Sequence, residues 1–124
     1  MQMRTILKNE KGLTLVELLA VIVIVGIIAA IAVPAIGATI KNAEEKSDTA
    51  TDKMIEEAAL RYAIDEEVST ATAVTLSNAA TGADLVREGY LNAIPTWNDT
   101  AKAKNGVTIT PQANGTYTVT LTSG

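Results

Sequence analysis

Residues 18–40 contain no Asp, Glu, Lys or Arg, and all but a few of them are Ala, Val, Ile or Leu. As a helix rising about 1.5 Å per residue, such a run crosses the roughly 30 Å hydrocarbon core of a bilayer. Beyond Ile40 the pattern changes. Ile40, Ala43, Ser47, Ala50, Met54, Ala58 and Tyr62 recur every three or four residues among charged neighbours, so the helix is predicted to continue as an amphipathic one over residues 41–67 with this stripe packed on something. Residues 68–80 lose any period and are rich in Ser, Thr and Ala, which predicts a connection with an extended piece at 73–76. Thr81-Gly82-Ala83-Asp84 has the spacing of a capping box, with Asp in place of Glu. It opens a short helix through Leu85 and Val86 that Gly89 can end.

The C-terminal pattern has period two. Val107, Ile109, Tyr117, Val119 and Leu121 alternate with threonines, and all these apolar positions are odd-numbered. A two-residue Asn114-Gly115 turn would set Ile109 opposite Thr120 and put the two apolar sets on opposite faces. A three-residue Ala113-Asn114-Gly115 loop, with Gly115 left-handed in a bulge, sets Ile109 opposite Val119 and Val107 opposite Leu121. The second register is the expectation, with the apolar face over the helix stripe and the threonine face outward or toward another subunit. The fold class is therefore α+β: a long N-terminal helix, half membrane-length and half amphipathic, packed on a small C-terminal antiparallel sheet.

Composition narrows the function. The 124 residues contain no Cys and no His, which removes disulfides and the commonest catalytic bases, nucleophiles and transition-metal ligands. The chain is read as no enzyme, with no cofactor and no metal site. Asn98 and Asp99 could lend oxygens to calcium, but no dense carboxylate cluster lies near them in sequence, and a polar loop is preferred. Trp97 and Tyr90 are read as anchors of a small core. The sequence patterns Asn98-Asp99-Thr100 and Asn114-Gly115-Thr116 match a glycosylation acceptor, yet in so threonine-rich a chain they are read as chance.

The net charge is −4; loss of residues 1–12, which carry Arg4, Lys8 and Lys11 against Glu10, would take it to −6. Such a surface repels phosphate backbones, so no direct nucleic-acid binding is expected. The basic residues ahead of the apolar run predict that the N-terminus stays inside and the C-terminus crosses.

One residue breaks the apolar pattern. Glu17 lies inside the edge of the membrane-length segment, where an unneutralised charge costs several kcal/mol. It stands in Gly12-Leu13-Thr14-Leu15-Val16-Glu17-Leu18, a stretch that resembles the cleavage and assembly motif of type IV pilins and the related pseudopilins. Leu13 replaces the family's usual Phe. The resemblance is tight over residues 11–40 and otherwise one of layout, closest to Cys-poor Gram-positive pilins. It implies a leader of residues 1–12 cut by a prepilin peptidase after Gly12, with the new amine at Leu13 methylated. It also implies assembly of the 13–40 helix into an extracellular filament, in which the Leu13 amine of one copy neutralises Glu17 of another, and an ectodomain of residues 41–124. Implied partners are copies of the chain, the prepilin peptidase and methylase, an assembly-platform membrane protein, minor pilins, and the membrane before assembly. Gly26 and Pro34 are the weak points of the helix, where a kink is expected. Residues 85–95 are similar to the connector before the sheet in several Gram-positive pilins.

Two other readings remain open from the sequence. One is a pseudopilin of a competence or type II secretion system, which fibre length would separate from a pilin. The other is a secreted binding domain released by a signal peptidase after Ala32 in Ala30-Ile31-Ala32.

Overall fold

The computed structural model describes the backbone of residues 3–77 and 82–123 and the side chains of 14–77 and 82–123. The element order is α1 (Met3–Asp65), β1 (Thr72–Thr75), a single 3-10 turn (Thr100–Lys102), β2 (Gly106–Pro111) and β3 (Tyr117–Thr122). The chain divides into two compact units, Met1–Lys41 and Asn42–Gly124. In the first, α1 is continuous through Gly26 and Pro34. Pro34 withdraws one donor from the ladder. Of the side chains in residues 14–40, only Ala32 is even half-buried, so the apolar residues face outward all round, as a helix bathed in lipid or in neighbouring helices does.

In the second unit α1 packs on a three-stranded antiparallel sheet of order β1-β2-β3, which makes the fold α+β as expected. Ile55, Ala58, Ala59, Tyr62 and Ala63 of the helix share one core with Val68, Val74, Leu76, Leu85, Leu91, Val107 and Ile109. The stripe is as predicted at Ala58 and Tyr62 but differs toward its start. Ile40, Ser47, Ala50 and Met54 are exposed, and the inward line runs through Asp48, the half-buried Thr51 and Asp52, and Ile55. Both lines have helical spacing. The inward one contains two acids, so hydropathy alone favours the other, and only the donors that a distant loop brings to those acids reverse the choice.

The helix ends in a Schellman motif. Val68 N donates to Ala63 O at 3.0 Å, Glu67 N to Ile64 O at 3.4 Å, and Glu67 takes the left-handed conformation with φ 46°. Ala63 and Val68, which flank the reversal, are both buried in the core. The extended piece expected at 73–76 is β1. The predicted cap is displaced: the carboxylate of fully buried Asp84 accepts from Val86 N at 2.9 Å and Arg87 N at 3.1 Å, so Asp84 itself caps the turn that follows. That turn is one turn only, closed by Gly89 at φ 84°. Thr81 lies outside the described residues.

The hairpin has the odd-with-odd register, Ile109 with Val119 and Val107 with Leu121. Gly115 N donates to Gln112 O and Gln112 N to Thr116 O, at 3.0 and 2.8 Å, and Gly115 has φ 80°. This is the three-residue loop with its glycine bulge. Val107 and Ile109 are buried, Tyr117, Val119 and Leu121 half-buried, and Thr118, Thr120 and Thr122 exposed. Pro111 needs no ladder donor because β1 pairs with β2 only as far as Ile109.

Candidate functional site

Glu17 is exposed on α1, among the apolar side chains of Leu15, Val16, Leu18 and Leu19. No Lys or Arg occurs in residues 14–40, and among the described residues no cation pairs with the Glu17 carboxylate. Gly12 and Leu13, assigned to cleavage, methylation and assembly, have side chains outside the described residues. The spacing still constrains them: Leu13 and Glu17 are four apart on one helix, so they fall on the same face one turn from each other. A cut before Leu13 would make its nitrogen the first of the four helix-terminal donors and give it a positive charge. Gly26 has open space where a Cβ would stand, so close approach of another backbone is sterically free there.

The sequence expectations missed a second cluster, which secures the ectodomain. Asp48 is 3 % exposed, and its carboxylate accepts from Asn98 N at 2.7 Å, Asn98 Nδ2 at 3.1 Å and Asp99 N at 3.2 Å. The Asn98 backbone N–H holds the Asp48 carboxyl below its ordinary pKa, against the upward push of burial, with further help from Asp99, the Asn98 side chain and the Lys102 charge. One turn on, Asp52 accepts from Trp97 Nε1 at 2.8 Å. Two carboxylates on one helix face thus hold the 97–99 segment against α1. The available signal was their four-residue spacing on the line leading into Ile55 and Ala59.

Trp97 is a core anchor with a polar handle, as read from the sequence. Tyr90 likewise packs edge-to-face on Tyr62, with ring centroids 5.4 Å apart, and donates to Asp65 at 3.2 Å. Asp99 caps the 3-10 turn by accepting from Ala101 N at 3.0 Å. Among the described residues no three His, Cys, Asp or Glu side chains come together to hold a metal ion.

By length and composition, α1 is long and apolar enough to cross a membrane. No curated protein and no solved structure matches the chain at a significant level. Residues 7–33 match the family model of the prokaryotic N-terminal methylation motif. That match covers Gly12, Leu13, Glu17 and the first part of the apolar helix, the residues on which the resemblance to type IV pilins and pseudopilins rests.

Proposed function

We propose that the chain is a structural subunit of an extracellular type IV pilus-like filament. Residues 1–12 are a leader removed by a prepilin peptidase after Gly12, and the Leu13 amine is methylated. The apolar helix holds the subunit in the membrane with its N-terminus inside until an assembly platform, together with minor pilins, draws it into the growing fibre. The chain is building material, without catalysis or cofactor. The single observation that carries this reading is Glu17: an outward-facing carboxylate in an apolar segment that offers it no cation. A buried carboxylate needs a partner, and the processed amine of a neighbouring copy is a charge of the right sign at the same depth. Adhesion, motility, DNA uptake and secretion are all uses such a filament serves.

The mass and first residue of the mature chain test the processing step. A chain beginning at Leu13 with one extra methyl group is expected, and Gly12→Val should leave the full-length precursor in the membrane. A mature chain starting at Val33 would replace the proposal with a secreted domain.

A further inference from the structure

The dipeptide Asn-Gly occurs at Asn105-Gly106 and again at Asn114-Gly115. Asparagine is thermolabile, and a following glycine has no side chain to keep its nitrogen from the asparagine amide carbon. The fold gives the two pairs opposite surroundings. Gly106 is buried in β2, paired with Thr75 on one side and Thr122 on the other. A Cβ there would stand 2.9 Å from Val74 O, so this backbone has no room to swing. Asn114, Gly115 and Thr116 are all exposed at the hairpin tip, and nothing lies within 4 Å of a Cβ built on Gly115. The Asn114 side chain is also held for reaction. Its Oδ1 accepts from Thr116 N at 3.1 Å and from Thr116 Oγ1 at 2.7 Å. The bond to Thr116 N closes a ring of atoms that contains Gly115 N, so the side chain is curled toward that nitrogen. Both donors sit where negative charge collects when Cγ is attacked.

We infer that Asn114 is a self-modification site, deamidated by attack of Gly115 N with the two Thr116 donors stabilising the oxyanion and water as co-reactant. Hydroxide from solvent removes the Gly115 N–H proton, which releases the hydrogen bond to Gln112 O. The nitrogen electron pair forms a bond to Asn114 Cγ, and the carbonyl pair moves onto Oδ1 between the Thr116 donors. Collapse breaks the Cγ–Nδ2 bond. The nitrogen leaves as ammonia with a proton from water, which restores the hydroxide, and a succinimide ring remains. Water then opens the ring, at Cγ to give aspartate or at the main-chain carbonyl to give isoaspartate. One water is consumed and one ammonia released, with no change of oxidation state. The products differ in what they do to the hairpin. Aspartate keeps the acceptor of both Thr116 bonds and makes them charge-assisted. Isoaspartate adds a backbone carbon to the loop whose length fixes the register. Either product places a negative charge in residues 105–124, which contain no Asp, Glu, Lys or Arg.

The test incubates the full-length protein in detergent at mildly alkaline pH and then digests it with trypsin. Lys104 is the last basic residue, so both asparagines are read on the same peptide. Electron-transfer fragmentation locates the conversion and separates isoaspartate from aspartate. In the folded protein Asn114 should convert while Asn105 stays intact; in urea the two should convert at comparable rates. Thr116→Val keeps the backbone donor and removes the hydroxyl. It should slow Asn114 conversion in the folded chain by roughly two- to tenfold, the net effect of one hydrogen bond, and leave the rate in urea unchanged. Asn105 reports on folding within the same peptide, since it converts if the variant unfolds. Conversion of Asn105 as fast as Asn114 in the folded protein overturns the inference, as does an Asn114 that is lost only in urea or a folded rate indifferent to Thr116→Val.

Discussion

Asp48 shows how much one side chain can rest on its surroundings. Its carboxylate holds three donors from a segment some fifty residues away, so removing it leaves those donors short of a partner in a buried place. Asp48→Ala should lower the melting temperature at neutral pH. The pH dependence has a definite sign. Folding holds the Asp48 pKa below its ordinary value of 3.8, so its contribution is complete above that value and is lost as pH falls through the lower folded value. The stability gap between wild type and Asp48→Ala should therefore be constant near neutrality and narrow below about pH 3.8. A gap that stays constant to low pH would show that the carboxylate charge is irrelevant to the 97–99 segment.

At the scale of the element, the helix and the hairpin both end in reversals that need a left-handed residue, and they meet the need differently. The hairpin uses Gly115 at φ 80°, while α1 uses Glu67 at φ 46°. A residue with a Cβ pays about 1–2 kcal/mol for that conformation. Glu67→Gly should therefore stabilise the ectodomain by about 1 kcal/mol after the greater unfolded-state freedom of glycine is subtracted, visible as a rise in melting temperature in detergent. A fall would mean that the Glu67 side chain makes a contribution larger than its backbone strain.

For the whole molecule the decisive residue is Glu17. If its carboxylate meets the Leu13 amine of a neighbour, Glu17→Val strands that amine, and breaking such a buried pair typically costs about 3–5 kcal/mol per site. Filaments should be absent, while chains trimmed after Gly12 collect in the membrane. Glu17→Gln, which keeps an acceptor but no charge, should assemble with a yield between Val and wild type. Filament counts by electron microscopy, set beside the mass of the membrane-bound chain, separate failed assembly from failed processing. Normal filaments from Glu17→Val would remove the charge-pairing mechanism.

What the sequence determined by itself is local or periodic. The membrane-length run, the isolated Glu17 and the Gly12-Leu13 motif are written in consecutive residues, so their chemistry needs no fold to be read. The hairpin register was legible for a related reason: the side-chain period of a strand is two, and only one loop length kept Val107, Ile109, Val119 and Leu121 on one face. Tertiary structure decided where choices were nearly degenerate locally. Which of two adjacent helical lines faces the core was settled by the loop that delivers Asn98, Asp99 and Trp97 to Asp48 and Asp52, a pairing that hydropathy penalises until its donors are present. Asp84 was legible as part of a capping motif, but its role as the cap, tied also to Thr75 and Ser77, follows from β1 lying beside it. The bonding of Ala83 and Leu85 to Thr75 at the outer edge of β1 likewise depends on strand order, which is set by packing among segments far apart in the chain.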